Sequence, residues 1–596
     1  MPISGLHLIA RDAPYDLLGG IHEYDDAVSK RTNARNANGK FGENSGGAYM
    51  LSLRSSLSDM LWGTMRDAAD PVRDLRPCFD ATRECSRRSA MKTGLGAALA
   101  LPAFVAGDTP DQDTVLLDEE RQIIDNFAAS DAWSMQKIGG WSSPNRERVA
   151  DLLFSQTNGI GLSCWRFNIG GGINSKITNP WRTAETFEVA PRQYDWTRQR
   201  NEQWFLRAAK QRGVPQFLAF VNSPPGRLTR NGLTFCDRDT GTTNLKIGAE
   251  GEYAVYLADI LEHFDRNPKD AEQLTFDYVS PVNEPQWDWS GHSQEGNRAS
   301  NDDIKRILRA LAGELQRRRL PTQIAALESG SLPDMWHADA EAAARWSAEY
   351  GNYIDTFLND PSINGLLAGR IGYHSYGSDL LSGPLVNDRV QLGTKMKQYP
   401  SWQLWQSEYC VLVGSEGKGG NHRDLTMNTA LDVARIIHLD LTLCGVSAWQ
   451  WWTAVSPVDY KDGLIYTDWR KPGDAESIYP ARILWALGSY SRFVRPGMQR
   501  VEVRGANHDI RGLMASAFKD DRGRRVVAVY VNMGDAARPV TLTFTTANGQ
   551  RKPASVTPYI TSDRAGDELK QYPRLGGNAT IDMPGKSVVT LVCEFE

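Results

Sequence analysis

Two glutamates stand where chemistry is possible. Glu284 lies in Val282-Asn283-Glu284-Pro285 and Glu408 in Trp405-Gln406-Ser407-Glu408-Tyr409. A pair of carboxylates at one cleft is what retaining glycoside hydrolysis needs. One protonates the leaving oxygen; the other attacks the anomeric carbon and forms a glycosyl-enzyme. Such carboxyls stand roughly 5–5.5 Å apart. The acid must keep its proton near neutrality, which burial and a neighbouring carboxylate favour, while a nearby arginine keeps the nucleophile ionised. Arg166 is placed for that second task, and Asn283 for a hydrogen bond to a sugar 2-hydroxyl. Asn168 and Asn222 each follow an apolar run, and His374 and Tyr376 can orient Glu408 or the sugar. Trp287, Trp289, Trp449, Trp451 and Trp452 offer flat faces for sugar C–H packing, or else fill the core. Glu328, closing another apolar run, is a rival carboxylate. His292 and His337 show no metal-ligand spacing, so this chemistry calls for no metal and no cofactor.

These residues can meet only if the runs carrying them are strands whose ends share one mouth. Expected strands are Gly161–Ile169, Gln216–Val221, Thr275–Val282, Gln323–Glu328, Gly369–Tyr376, Trp402–Glu408 and Val446–Trp452, with a first one near Ile123–Ala128 or Met135–Gly139. Between them lie helix-like stretches at 145–156, 197–212, 250–265, 301–319, 338–358, 385–398, 427–443 and 477–493. Eight strand–helix units predict an α/β chain with a (β/α)8 TIM barrel over 113–495. Residues just past the strand C-termini then form the site. Gly170-Gly171-Gly172 follows the second strand but fits no phosphate-loop pattern. After Pro496 the rhythm becomes short, alternating and β-branched, which predicts a β-sandwich over 498–596. The run Thr114–Leu117 is expected to join it.

The first 107 residues read differently. Ser86-Arg87-Arg88-Ser89, the mild apolar run 94–106 and the small-residue exit Val105-Ala106-Gly107 resemble a twin-arginine export signal. The mature chain is then secreted or periplasmic, starting near Asp108. Residues 1–85 read as a leader whose start is assigned too early, with Met60 or Met65 as the expected true start.

Charge and composition exclude other classes. Sixty-seven Lys and Arg against 72 Asp and Glu give a net −5, which argues against nucleic acid as partner. No apolar run is long enough for a transmembrane helix. Five of the seven cysteines remain after cleavage, without CxxC spacing, so a disulfide framework is not expected. The 18 Trp supply many rigid flat faces for a saccharide. The expected state is a monomer with a polysaccharide or oligosaccharide as partner.

Taken together, the runs around Asn283-Glu284-Pro285 and Glu408-Tyr409 resemble glycoside hydrolase family 30, a clan of barrel enzymes with strand-4 and strand-7 glutamates. Further matching runs are 126–133, Trp165–Gly170, Asn222-Ser223-Pro224-Pro225, Tyr373–Tyr376 and Ala448–Trp452. Within the family the chain looks most like the endo-β-1,6-galactanase-like branch, over about residues 113–596. The resemblance implies Glu284 as acid/base and Glu408 as nucleophile. It leaves β-1,6-glucan, xylan or a glycosyl ceramide-like substrate as alternatives, and a carbohydrate-binding barrel without catalysis as another. Asn126 stands where a glycine is usual.

Overall fold

The computed structural model describes residues 110–596, except 175, 270, 506 and 507. The twin-arginine-like stretch, the leader and Cys78 and Cys85 lie outside the described residues.

Strand β1 (Asp111–Ile123) precedes the barrel. The barrel strands are β2 (Asn126–Ser130), β3 (Cys164–Asn168), β6 (Gln216–Phe220), β7 (Tyr278–Ser280), β8 (Gln323–Ser329), β9 (Leu367–His374), β10 (Gln403–Glu408) and β11 (Ala448–Ser456). A small hairpin, β4 (Glu188–Ala190) and β5 (Gln193–Tyr194), sits between β3 and β6. The eight barrel strands are parallel, and β11 pairs with both β10 and β2, which closes the ring. Strand β7 stops at Ser280 because Pro281 has no N–H to give the ladder. Successive side chains alternate between the interior and the helix layer. Ala128, Cys164, Leu218, Tyr278, Ala325, Trp405 and Ala448 form one packed interior cluster. Asp125 accepts from Trp405 Nε1 and Ser447 Oγ, each at 2.8 Å, and pairs with Arg370. The barrel is therefore a filled core whose chemistry is confined to its C-terminal mouth.

The first strand is at Asn126–Ser130, whereas Met135–Ile138 is a short helix. The single helix expected over 338–358 is two, Ala340–Trp346 and Tyr353–Leu358. Ser347, Gly351 and Asn352 between them have φ of 53°, 73° and 48°, which an α-helix cannot continue through. The helix expected over 427–443 is α-helical over Met427–Leu439 and widens to a π turn over Asp440–Cys444 before Gly445 at φ 72°. The last helix begins at Arg482 because Tyr479–Pro480 pairs with Gly463–Tyr466 instead.

The C-terminal part is a separate β-rich sheet. Strand β1 pairs parallel with Arg538–Thr546 and antiparallel with Gln499–Gly505, so the start of the described chain is bound into it. Val115, Val501, Tyr530, Leu542, Phe544 and Leu591 share its inner core. The opposite faces of its central strands carry Phe518, Val527, Val529 and Val588, which join the barrel's core beside the helices Met427–Leu439 and Arg482–Ser491. Thr590 Oγ1 donates to the Ser489 carbonyl at 2.7 Å across that junction. Among the described residues no helix is long and apolar enough to cross a membrane.

Candidate active site

The mouth is built by departures from regular strand. Register shifts interrupt β8 between Ala326 and Ser329 and β10 between Gln406 and Glu408. Such bulges turn a side chain that would lie against a neighbour towards the barrel axis. Glu328 has φ 56° and Glu284 has φ 43°, left-handed values that are costly for a residue with a Cβ. Two hydrogen bonds hold them: Glu284 N–H donates to the Glu328 carbonyl, and Trp289 Nε1 to the Glu284 carbonyl, both at 2.9 Å.

Three buried carboxylates and two buried cations meet there. Arg166 Nη1 donates to Glu408 Oε2 at 2.5 Å. Its Nη2 reaches Asn283 Oδ1 at 3.1 Å and Glu328 Oε2 at 3.4 Å. The guanidinium also lies 3.7 Å from the centroid of the Phe220 ring. Tyr376 OH donates to Glu408 Oε1 at 3.0 Å. His374 bridges the acids, with Nδ1 at 2.8 Å from Glu284 Oε1 and Nε2 at 3.0 Å from Glu328 Oε2. Ser280 and Ser407 hydroxyls complete the shell of Glu328 at 3.1 and 2.7 Å. One oxygen from each of Glu284 and Glu408 and a nitrogen of His374 lie within 4.8 Å of one another. That cluster has the spacing of a metal site, but its positive charge is already supplied by Arg166 and His374.

The protonation states follow from this arrangement. Burial pushes the Glu284 carboxyl up, and the nearby Glu408 adds to that, outweighing the pull of His374 in the other direction. Burial also opposes the charged form of Glu328, yet His374, Arg166 and Ser407 together hold its carboxyl below the usual range. Burial lowers the His374 pKa, but Glu408, Glu284 and Glu328 more than reverse this and raise it to about 9. The surroundings thus favour the protonated form of Glu284, the carboxylate form of Glu328 and the cationic form of His374.

Glu328 is therefore the fully engaged partner of the two cations. The space it occupies is kept open by Gly372 on β9. A Cβ there would stand 2.8 Å from Ser407 Oγ and 2.9 Å from Glu328 Oε1. Gly372→Ala is expected to displace that carboxylate, costing about 1–3 kcal/mol of stability and most of the activity. A thermal melt and a rate assay check it; a variant with unchanged melting and rate would contradict this account of the network.

The strand 1–3 side carries a second polar group. Glu295 Oε1 accepts from Asn168 Nδ2 at 2.8 Å, Trp133 Nε1 at 3.1 Å and Asn222 Nδ2 at 3.3 Å. Because Oε1 accepts from both amides, their NH2 groups are turned towards it. Glu295 itself is buried, and burial raises its pKa. Its polar, aperiodic surroundings, Ser290-Gly291-His292-Ser293-Gln294, gave no sign of this role. Asp131 anchors the same wall by accepting from Asn168 N–H at 2.8 Å.

The tryptophans divide. Trp449 and Trp451 point outward into the helix layer, fully buried, and donate to Asp440 Oδ2 at 2.9 Å and the Asp462 carbonyl at 2.7 Å. As sugar platforms they are corrected: strand alternation turns them away from the mouth. Trp452, the inward neighbour, meets Trp133 edge-on at 5.3 Å. Trp289 is buried against Gly296, where a Cβ would lie 2.2 Å from its ring, so it braces the Glu284 backbone. Trp287 is half-buried over Gly330. Arg166, Asn283, His374, Tyr376, Glu284 and Glu408 come together directly. Asn168 and Asn222 stand beside them through Glu295.

A family model for O-Glycosyl hydrolase family 30 matches residues 112–466. Among solved structures, a conserved exported protein from Bacteroides fragilis is 28% identical with a TM-score of 0.70, covering 80% of this chain and 99% of that one. The catalytic domain of the GH30 xylanase C from Talaromyces cellulolyticus is 21% identical with a TM-score of 0.58, covering 81% and 100%. An endo-β-1,6-glucanase is 18% identical with a TM-score of 0.58, covering 83% and 95%. These last two likenesses speak for the fold.

Proposed function

The chain belongs to O-Glycosyl hydrolase family 30 and is a glycoside hydrolase, and we propose that it works by retention on a β-linked polysaccharide. The observation that carries this is the carboxylate pair itself. Oxygens of Glu284 and Glu408 lie within 4.8 Å; burial raises the pKa of Glu284, and Glu408 accepts a hydrogen bond from Arg166. In the first step Glu284 gives its proton to the leaving oxygen while Glu408 attacks the anomeric carbon. Glu408 loses its charge to the ester just as Glu284 gains one, so the buried cluster stays balanced through the step. His374 and Arg166 need not move. In the second step Glu284 takes a proton from water, which cleaves the ester. Because Asn283 Oδ1 is occupied by Arg166, its NH2 is the end offered to a sugar 2-hydroxyl.

The substrate we assign is β-1,6-galactan, cut internally, on the strength of the motif resemblance. The likeness to a xylanase and to an endo-β-1,6-glucanase supports xylan or β-1,6-glucan as the second reading. A panel of defined polysaccharides, with products read by mass and by anomeric configuration, decides between them. Oligomeric products from β-1,6-galactan support the assignment, and hydrolysis of β-1,6-glucan or xylan alone overturns it. Inverted products from any substrate would refute retention.

We also place the mature enzyme outside the cytoplasm, as a monomer. Arg87-Arg88 with the run 94–106 supports export, as does the likeness to an exported protein. N-terminal sequencing of exported material is expected to read from near Asp108; exported protein still carrying Met1–Arg88 would contradict this.

A further inference from the structure

Trp287 carries a buried N–H without an acceptor. Among the described residues its Nε1 has no hydrogen-bond partner, whereas nearly every buried donor in a folded protein is paired. The residue as a whole is half-buried, so it is the nitrogen edge of the ring that is turned inward.

Two neighbours fix that edge. Gly330, just past β8, leaves room for it: a Cβ there would run into Nε1 and stand 2.8 Å from Cε2. On the other side the backbone turns tightly, with Trp287 N–H donating to the Glu284 carbonyl at 3.1 Å. The indole is thereby brought to the Glu284 carboxyl. Burial raises the pKa of that carboxyl, and the Trp287 N–H joins His374 in drawing it down. His374 Nδ1 takes Glu284 Oε1 at 2.8 Å, which leaves Oε2 for the indole. Glu284 also faces Glu408 on β10 and, past His374, Glu328 on β8 and Arg166 on β3. The Tyr376 and Cys410 groups feel its charge as well.

We propose that Trp287 is the positioning residue of the acid/base: its N–H closes on Glu284 Oε2 once the proton has passed to the leaving oxygen. This rests on the reading of Glu284 as acid/base. With His374 donating to Oε1, a protonated Glu284 carries its proton on Oε2, and a hydroxyl oxygen is a poorer acceptor than a carboxylate. In the glycosyl-enzyme Glu408 is an ester and Glu284 holds the charge. A donor that bonds the carboxylate better than the acid then stabilises that intermediate and the steps on either side of it. Such bonds are often long in the free enzyme and tighten in the reacting complex. An indole N–H only donates, so it cannot compete for the proton that Glu284 must take from water.

The test is Trp287→Phe, which keeps an aromatic ring over Gly330 and removes the N–H. Losing a donor that favours the charged form raises the Glu284 pKa, so two limbs should move together to higher pH. One is the alkaline limb of kcat/KM on polymer, where Glu284 must be protonated. The other is the acidic limb of kcat on an aryl glycoside with a leaving group good enough that the second step limits, where Glu284 must be ionised. Below that limb kcat should fall about tenfold or more, the scale of one hydrogen bond to a charged group. For the same glycoside kcat/KM should stay at the parent's value, because its first step needs no acid. Unmoved limbs, or equal falls in kcat and kcat/KM, overturn the proposal, since a merely structural ring would behave that way. Gly330→Ala reaches the same N–H from the other side and serves if the first variant does not fold. Its methyl displaces the indole, so both limbs should again move to higher pH, and unmoved limbs overturn the proposal equally. Glu284→Ala tells the two failures apart. Polymer hydrolysis that survives Glu284→Ala sinks the acid/base reading itself, whereas unmoved limbs beside an impaired Glu284→Ala sink only the role of Trp287.

Discussion

Glu408→Ala is expected to lower hydrolysis about 10⁴- to 10⁶-fold, the scale of losing an essential covalent catalyst. Glu328 is the nearest rival, but Arg166, His374, Ser280 and Ser407 already use its oxygens. Arg166 keeps Asn283 and Glu328 as partners, but losing one side of a buried ion pair costs about 3–5 kcal/mol, so a thermal melt should accompany the assay to separate lost chemistry from lost fold. Added azide is expected to restore part of the activity with inverted product, because the small anion occupies the space of the lost carboxylate and attacks once. Product configuration read by NMR checks this. Retained product from the variant, or a loss below tenfold, would remove Glu408 from the nucleophile's role. The variant also bears on the charge balance. Without Glu408 the two cations face only Glu328 and Glu284, so Glu284 should titrate lower than in the parent.

The barrel was legible because its strands are buried on both faces and read as compact apolar runs between longer amphipathic ones. Boundaries blurred where backbone conformation overrode pattern, as at Ser347–Asn352 and in the π turn after Leu439. The carboxylates could be found because each ends an apolar run and sits among Asn, Pro or Tyr. Their setting could not. Whether Glu328 is catalytic or structural depends on two bulges, on the absence of a Cβ at Gly372 and on hydroxyls from Ser280 and Ser407. None of these has a sequence pattern of its own. The tryptophans failed for a related reason. In Ala448–Trp452 alternate residues face opposite ways, and only the register of β11 decides that Trp449 and Trp451 go outward. Glu295 was missed because it lies in a loop without periodicity, where only its three buried N–H partners reveal it.

Glu284→Ala should separate acid from nucleophile by what it spares. A natural polysaccharide has a poor leaving group and needs a proton in the first step, so its hydrolysis is expected to fall about 10²- to 10⁴-fold, the range for general acid–base catalysis. An activated aryl glycoside needs no such proton and should still form the glycosyl-enzyme. That intermediate then accumulates, because water has lost its base, and mass spectrometry should find Glu408 carrying a sugar. Azide should release it with retained configuration, the opposite of its effect on Glu408→Ala. The pH profile gives a second reading. In the parent, Glu284 acts as acid only while protonated, so activity on polymer falls as pH rises through its raised pKa. With alanine in its place that alkaline limb should vanish from the aryl glycoside reaction. His374, whose pKa is raised to about 9, gives the parent a further alkaline step. Two alkaline steps in the parent and one in the variant would place the lost step on Glu284. An unchanged rate on polymer, or an unchanged limb, would move the acid elsewhere, and Glu328→Gln would be the next variant to make.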